Sequence, residues 1–129
     1  MAFDLDDLGD DVLEFLRDRH LATLTTQRAD GSPHVAPVGF GYDHVARLVR
    51  VITSPGTQKV ANGDRGGRAA VCQVDGGRWL TLEGSVRIAR DAEPVAAAVA
   101  AYTRRYQAPR VRPDRVALEI VVDRITGRV

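Results

Sequence analysis

The chain has 129 residues, enough for one domain with a sizeable core and too few for a second. Hydrophobic residues make up 44%, charged residues 27% and the formal net charge is +1, which excludes a disordered chain and gives no reason to expect nucleic acid as a partner. The single cysteine, Cys72, excludes an intrachain disulfide and a Cys-rich metal site.

The first eleven residues, MAFDLDDLGDD, are acidic where a signal peptide needs positive charge, and no apolar run approaches the roughly 18 residues of a membrane span. The expected location is the cytoplasm, with no membrane partner. Of the 18 basic residues only Lys59 is a lysine, and Asn62 is the lone asparagine. Composition alone favours chance for the single ammonium, since arginine and lysine differ mainly at specific sites.

Residues 4–19, DLDDLGDDVLEFLRDR, carry Leu5, Leu8, Val12, Phe15 and Leu16 at helical spacing, with acids early and arginines late, and predict an amphipathic helix with a weak point at Gly9. Strands follow at 21–28 and 33–42, joined as a hairpin across Ala29-Asp30-Gly31-Ser32, and a third runs through ARLVRVITS, 46–54. The segment PGTQKVANGDRGG reads as a turn and a short helix from about Thr57 to the glycines. Residues 69–75 and 78–90 are two further strands across Gly76-Gly77, with Gly84 as a bulge. A second long helix over 91–106 has Asp91 as N-cap and Pro94 in its first turn, and a Pro-rich connector leads to a last strand over 115–125. Six antiparallel strands with marginal helices suggest a small β-barrel, with an open sandwich and an α+β roll as alternatives.

The chemistry-bearing residues are few. His20, His34 and His44 are isolated, no metal-ligand spacing occurs, and neither a nucleophile elbow nor a Gly-rich nucleotide loop is present. Thr53, Ser54, Thr57, Gln58 and Lys59 cluster where a strand gives way to a helix start; they fit a phosphate cradle and equally a capped surface turn with a solvated lysine. Arg65 and Arg68 add positive charge nearby. Pro33, Pro37, Gly39 and Gly41 weaken one strand, consistent either with a flat surface for a planar heterocycle or with an edge protected against aggregation. Trp79 suits the core, a subunit interface or a ligand site. Glu83 and Glu119 are expected to face solvent or pair with arginines.

The runs FLRDRHLATLTTQRADGSPHVAPVGFGYD, VITSPGTQKVANGDRGGRAAVCQVDGGRWLTLEGSVRI and YTRRYQAPRVRPDRVALEIVVDRI together resemble the pyridoxamine 5′-phosphate oxidase-like split β-barrel family, and within it the actinobacterial deazaflavin-dependent branch that includes biliverdin reductases using reduced coenzyme F420. The resemblance covers almost the whole chain. It implies a mainly β (α+β) fold, a six-stranded antiparallel split barrel with flanking helices, forming a homodimer with sites in grooves between subunits. On this likeness Pro37 and Val38 meet the deazaflavin ring, Thr53, Ser54, Thr57, Gln58 and Lys59 hold the phosphate region, Trp79 approaches from the partner subunit, and Arg28 and Arg65 meet the acidic tail. The implied activity is hydride transfer from coenzyme F420 to biliverdin or a similar planar acceptor, with no metal and no assigned catalytic residue. An FMN-dependent oxidoreductase of the same fold and a non-catalytic cofactor or tetrapyrrole carrier remain as alternatives. The chain ends at DRITGRV, so any substrate contact that relatives make through a C-terminal extension is expected to be missing.

Overall fold

The computed structural model describes residues 2–129. Along the chain lie α1 (Asp10–Arg17), β1 (Ala22–Gln27), β2 (Pro33–Val38), β3 (Gly41–Asp43), β4 (Leu48–Thr53), α2 (Gln58–Asp64), β5 (Arg68–Asp75), β6 (Arg78–Ala89), α3 (Ala92–Arg105) and β7 (Val116–Arg128). All strand pairs are antiparallel, in the order β2-β1-β5-β6-β7-β4-β3.

The two edge strands, β2 and β3, are consecutive in sequence, with only Gly39 and Phe40 between them. Three peptide steps span at most about 11 Å, so the sheet has to curl until its opposite edges approach each other. No ladder joins β2 to β3 among the described residues, and the result is a barrel split along that seam. Inside it lie Phe15, Leu24, Phe40, Leu80, Leu82, Leu118, Ile120 and Ile125, all fully buried. Alternation sets this up: in β1, Ala22, Leu24 and Thr26 point inward while Thr23 and Gln27 face out.

Seven strands stand where six were expected, because the 33–42 arm breaks at Gly39-Phe40. Phe40 turns into the core. Its N–H donates to Tyr106 Oη at 3.1 Å, and its carbonyl accepts from Arg105 at 2.7 Å. A Cβ on Gly39 would come within 2.9 Å of the Tyr106 ring, and one on Gly41 within 2.9 Å of Ala101 Cβ. These glycines therefore let α3 lie directly on the crossing segment.

The first helix is shorter than the periodicity predicts. Gly9 is its N-cap in extended conformation, and the preceding chain turns toward β7, where the Phe3 N–H donates to the Ile125 carbonyl at 2.8 Å. The expected bulge at Gly84 is present as a register shift between Glu83 and Gly84 against β7. Glu119 is buried and accepts from Arg87 Nε at 2.8 Å, and Glu83 lies 3.7 Å from Arg68. No helix among the described residues is long and apolar enough to cross a membrane.

Candidate functional site

The end of β4 and the start of α2 face the β2–β3 crossing over an open groove of about 420 Å3. Pro37, Val38 and Gly39 line one side, Ile52, Thr53, Ser54, Thr57 and Lys59 the other, and Tyr102, Pro109, Arg112 and Arg115 close it from α3 and the connector. Its position follows from the fold, since β4 ends beside the seam where the barrel is open and α2 begins immediately after the turn at Pro55-Gly56.

Polar groups in the groove are poised rather than satisfied. The Thr57 hydroxyl donates to the Ser54 carbonyl at 3.1 Å and lies 3.4 Å from Thr53 Oγ1, but makes no cap bond to α2. Lys59 is half-buried, and no carboxylate among the described residues pairs with it. Burial pulls its pKa below the ordinary lysine value, which marks an ammonium stripped of part of its water with no anion in return. Such a group, beside three hydroxyls, has the donor chemistry that suits phosphate oxygens.

Of the residues singled out in the sequence, Pro37, Val38, Thr53, Ser54, Thr57 and Lys59 meet in this groove. Four do not. Gln58 is exposed and its amide donates to Asn62 Oδ1 at 2.8 Å; Arg65 bonds the same oxygen at 2.8 Å and the Gln27 carbonyl at 2.8 Å. Asn62 in turn donates to Thr26 Oγ1 at 2.9 Å and is fully buried, so these side chains pin α2 onto β1. Arg28 bonds the Pro33 carbonyl across the β1–β2 hairpin at 2.6 Å.

Trp79 lies on the outer face of the sheet. Register aligns Pro37, Thr23, Cys72 and Thr81 in one row, with Val35, Thr25, Ala70 and Glu83 beside it, and pairs Val74 with Trp79 further along. Pro37 and Trp79 thus share a face, three strand spacings apart, on the order of 14 Å. Gly39, flagged in the sequence as part of a possible ligand surface, lines the groove as well, whereas sequence reading missed Ile52, Tyr102, Pro109, Arg112 and Arg115. Only the two arginines, flanking Pro113 in an otherwise featureless connector, carried any signal.

Residues 8–128 match the family described as Pyridoxamine 5′-phosphate oxidase. An F420H(2)-dependent biliverdin reductase of Mycobacterium tuberculosis (strain CDC 1551 / Oshkosh) is 50% identical over 120 residues, covering 93% of this chain and 88% of that protein. Among solved structures, a conserved hypothetical protein from Mycobacterium tuberculosis superimposes with a TM-score of 0.79 at 22% identity, over 95% of this chain and 85% of the other. A structure described as an F420 reductase gives 0.73 at 23% identity, over 92% and 98% of the two chains. The two superpositions speak to the fold.

Proposed function

The chain belongs to the pyridoxamine 5′-phosphate oxidase family, and on that premise we propose that it is an oxidoreductase that uses reduced coenzyme F420 to reduce biliverdin or a similar planar conjugated acceptor. The observation that carries the reading is the 50% identity, over 93% of the chain, to an F420H(2)-dependent biliverdin reductase. The donor set of the groove fits a phosphate-bearing cofactor. Lys59 offers an uncompensated ammonium, and Thr53, Ser54 and Thr57 offer hydroxyls on the same wall.

When bound, the reduced deazaflavin supplies the hydride, so the protein's task is binding and orientation. Pro37 and Val38 back the flat part of the cofactor along the sheet edge, while Thr53, Ser54, Thr57 and Lys59 hold its phosphate. Arg112 and Arg115, at the connector side, present charge to acidic groups of cofactor or acceptor. No carboxyl or imidazole lines the groove, and no protein acid is assigned to the proton step.

The working unit in this reading is a homodimer. The outer face of β2-β1-β5-β6 carries exposed Val35, Val74 and Trp79 among small residues, and Pro37 belongs both to that face and to the groove. A partner laid on this face covers the apolar residues and brings its own Trp79 toward the groove.

Mixing the protein with chemically reduced coenzyme F420 and biliverdin, and following both absorbance bands, tests the function. Protein-dependent oxidation of the cofactor with formation of bilirubin is expected. Tight cofactor binding without turnover of any acceptor overturns the reading in favour of a carrier, and a protein purified with bound flavin that turns over without F420 overturns the cofactor assignment.

A further inference from the structure

The helix α3 serves two cavities. Tyr102 lines the Lys59 groove, whereas Ala101, Arg104 and Arg105 line a second cavity of about 440 Å3, completed by α1, β3 and β4. Its volume is in the usual range of small-molecule sites, and its walls are unbalanced in charge. Four arginines, Arg17, Arg50, Arg104 and Arg105, face one carboxylate, Asp43. That carboxylate is already engaged by Arg50 at 3.2 Å and by the N–H groups of Val45 and Ala46 at 3.0 Å.

Arg105 is the deepest of the four, at 8% exposure. Its guanidinium donates to the main-chain carbonyls of Asp18 and Phe40, at 2.8 and 2.7 Å, and to Gln73 Oε1 at 2.7 Å. All three acceptors are neutral. The one carboxylate whose charge reaches it, that of Asp18, lies beyond ion-pair distance, and a buried cation without a close counter-charge is an expensive arrangement. Among the described residues no carboxylate lies at ion-pair distance from Arg17, Arg104 or Arg105. Arg50 Nε, buried on a cavity-lining residue, lacks any hydrogen-bond partner.

We propose that this cavity is a second ligand site, separate from the cofactor groove, for a small organic carboxylate with an apolar body. The carboxylate lies among Arg17, Arg50 and Arg104, where it adds the close negative charge that this wall and Arg105 lack. The apolar body rests on the buried side chains of Leu16 and Ala101. A bare inorganic anion would satisfy the donors and leave that apolar wall and most of the volume unused.

The probe is 2-naphthoate, titrated against the purified protein by ligand-observed NMR, with inorganic phosphate as competitor. Saturable binding of one naphthoate per chain is expected. The double variant Arg17→Glu/Arg104→Glu, both at exposed positions, should weaken it at least about tenfold, as loss of charge-assisted bonds requires. Arg50→Gln should weaken it by a smaller factor, and serves alone if the double variant has a lowered unfolding temperature. Lys59→Ala should leave naphthoate affinity unchanged. The proposal is overturned by absence of saturable binding, by equal affinity in the cavity variants, by loss of binding in Lys59→Ala, or by phosphate competing as well as naphthoate itself.

Discussion

In the proposed site Lys59 is the residue on which anion affinity should depend most, because it is the chain's one lysine and sits half-buried without a carboxylate among the described residues. Lys59→Ala should weaken binding of coenzyme F420 by about 1–3 kcal/mol, the worth of a charge-assisted bond to phosphate, read as cofactor fluorescence in a titration. Unchanged affinity rejects the assignment. The same residue sets a pH dependence whose sign follows from its lowered pKa. Burial makes the free folded protein release this proton at lower pH than the unfolded chain, so stability from this group rises with pH between the folded and unfolded values. A bound phosphate favours the ammonium. Cofactor affinity is therefore full below the folded pKa of Lys59 and falls as pH climbs through it, whereas Lys59→Arg should hold its affinity flat across the same alkaline range. Residue-level signals were legible here because Thr53, Ser54, Thr57 and Lys59 are neighbours in sequence. Gln58 and Arg65 looked the same in sequence, yet both bond Asn62, whose burial against Thr26 no local pattern announces.

At the scale of elements, close packing of α3 on the β2–β3 crossing gives the groove its third wall. Gly41→Ala tests it. Replacing glycine usually stabilises by roughly 0.4–1 kcal/mol through the unfolded chain, but a methyl 2.9 Å from Ala101 Cβ overpacks a site backed by helix, at roughly 1–3 kcal/mol. The second effect wins, so chemical denaturation should show a net loss of stability, and adding Ala101→Gly should recover part of it. A stabilised single variant would mean that α3 can shift freely. Strand periods and turn residues were enough to place nearly every element, including the bulge at Gly84, since those signals are local. The glycines at 39 and 41 were read as a bare ligand surface or an edge device; β2 is indeed an edge strand, but these glycines answer to Tyr102, Tyr106 and Ala101, some sixty residues away. Contacts of that range leave no mark in a local pattern, and for the same reason Arg112 and Arg115 went unread as groove residues.

For the whole molecule, the proposed homodimer is tested on the four-strand outer face. Val35, Val74 and Trp79 are 58%, 61% and 38% exposed, on one side of a sheet whose neighbouring outward residues are Thr23, Thr25, Ala70 and Cys72. A stable pairing needs about 800 Å2 covered on each partner, and in the proposed dimer the part of this four-stranded face that carries Val35, Val74 and Trp79 supplies the apolar share of it, beside the Arg68–Glu83 pair. Val74→Arg places a guanidinium in this face without disturbing the core, because the side chain it replaces already points to solvent. Sedimentation equilibrium should then report a dimer for the parent chain and a monomer for the variant, with an unchanged unfolding transition for the isolated subunit. The lone Trp79 provides an internal reporter: its emission should shift to longer wavelength in the monomer as water reaches the indole. Cofactor affinity should fall in step if the proposed dimer forms, because Pro37 joins the groove to the outer face and the proposed pairing brings the partner's Trp79 toward it. A parent chain that sediments as a monomer while binding coenzyme F420 at full strength would leave the groove complete within one subunit, and would remove Trp79 from the site.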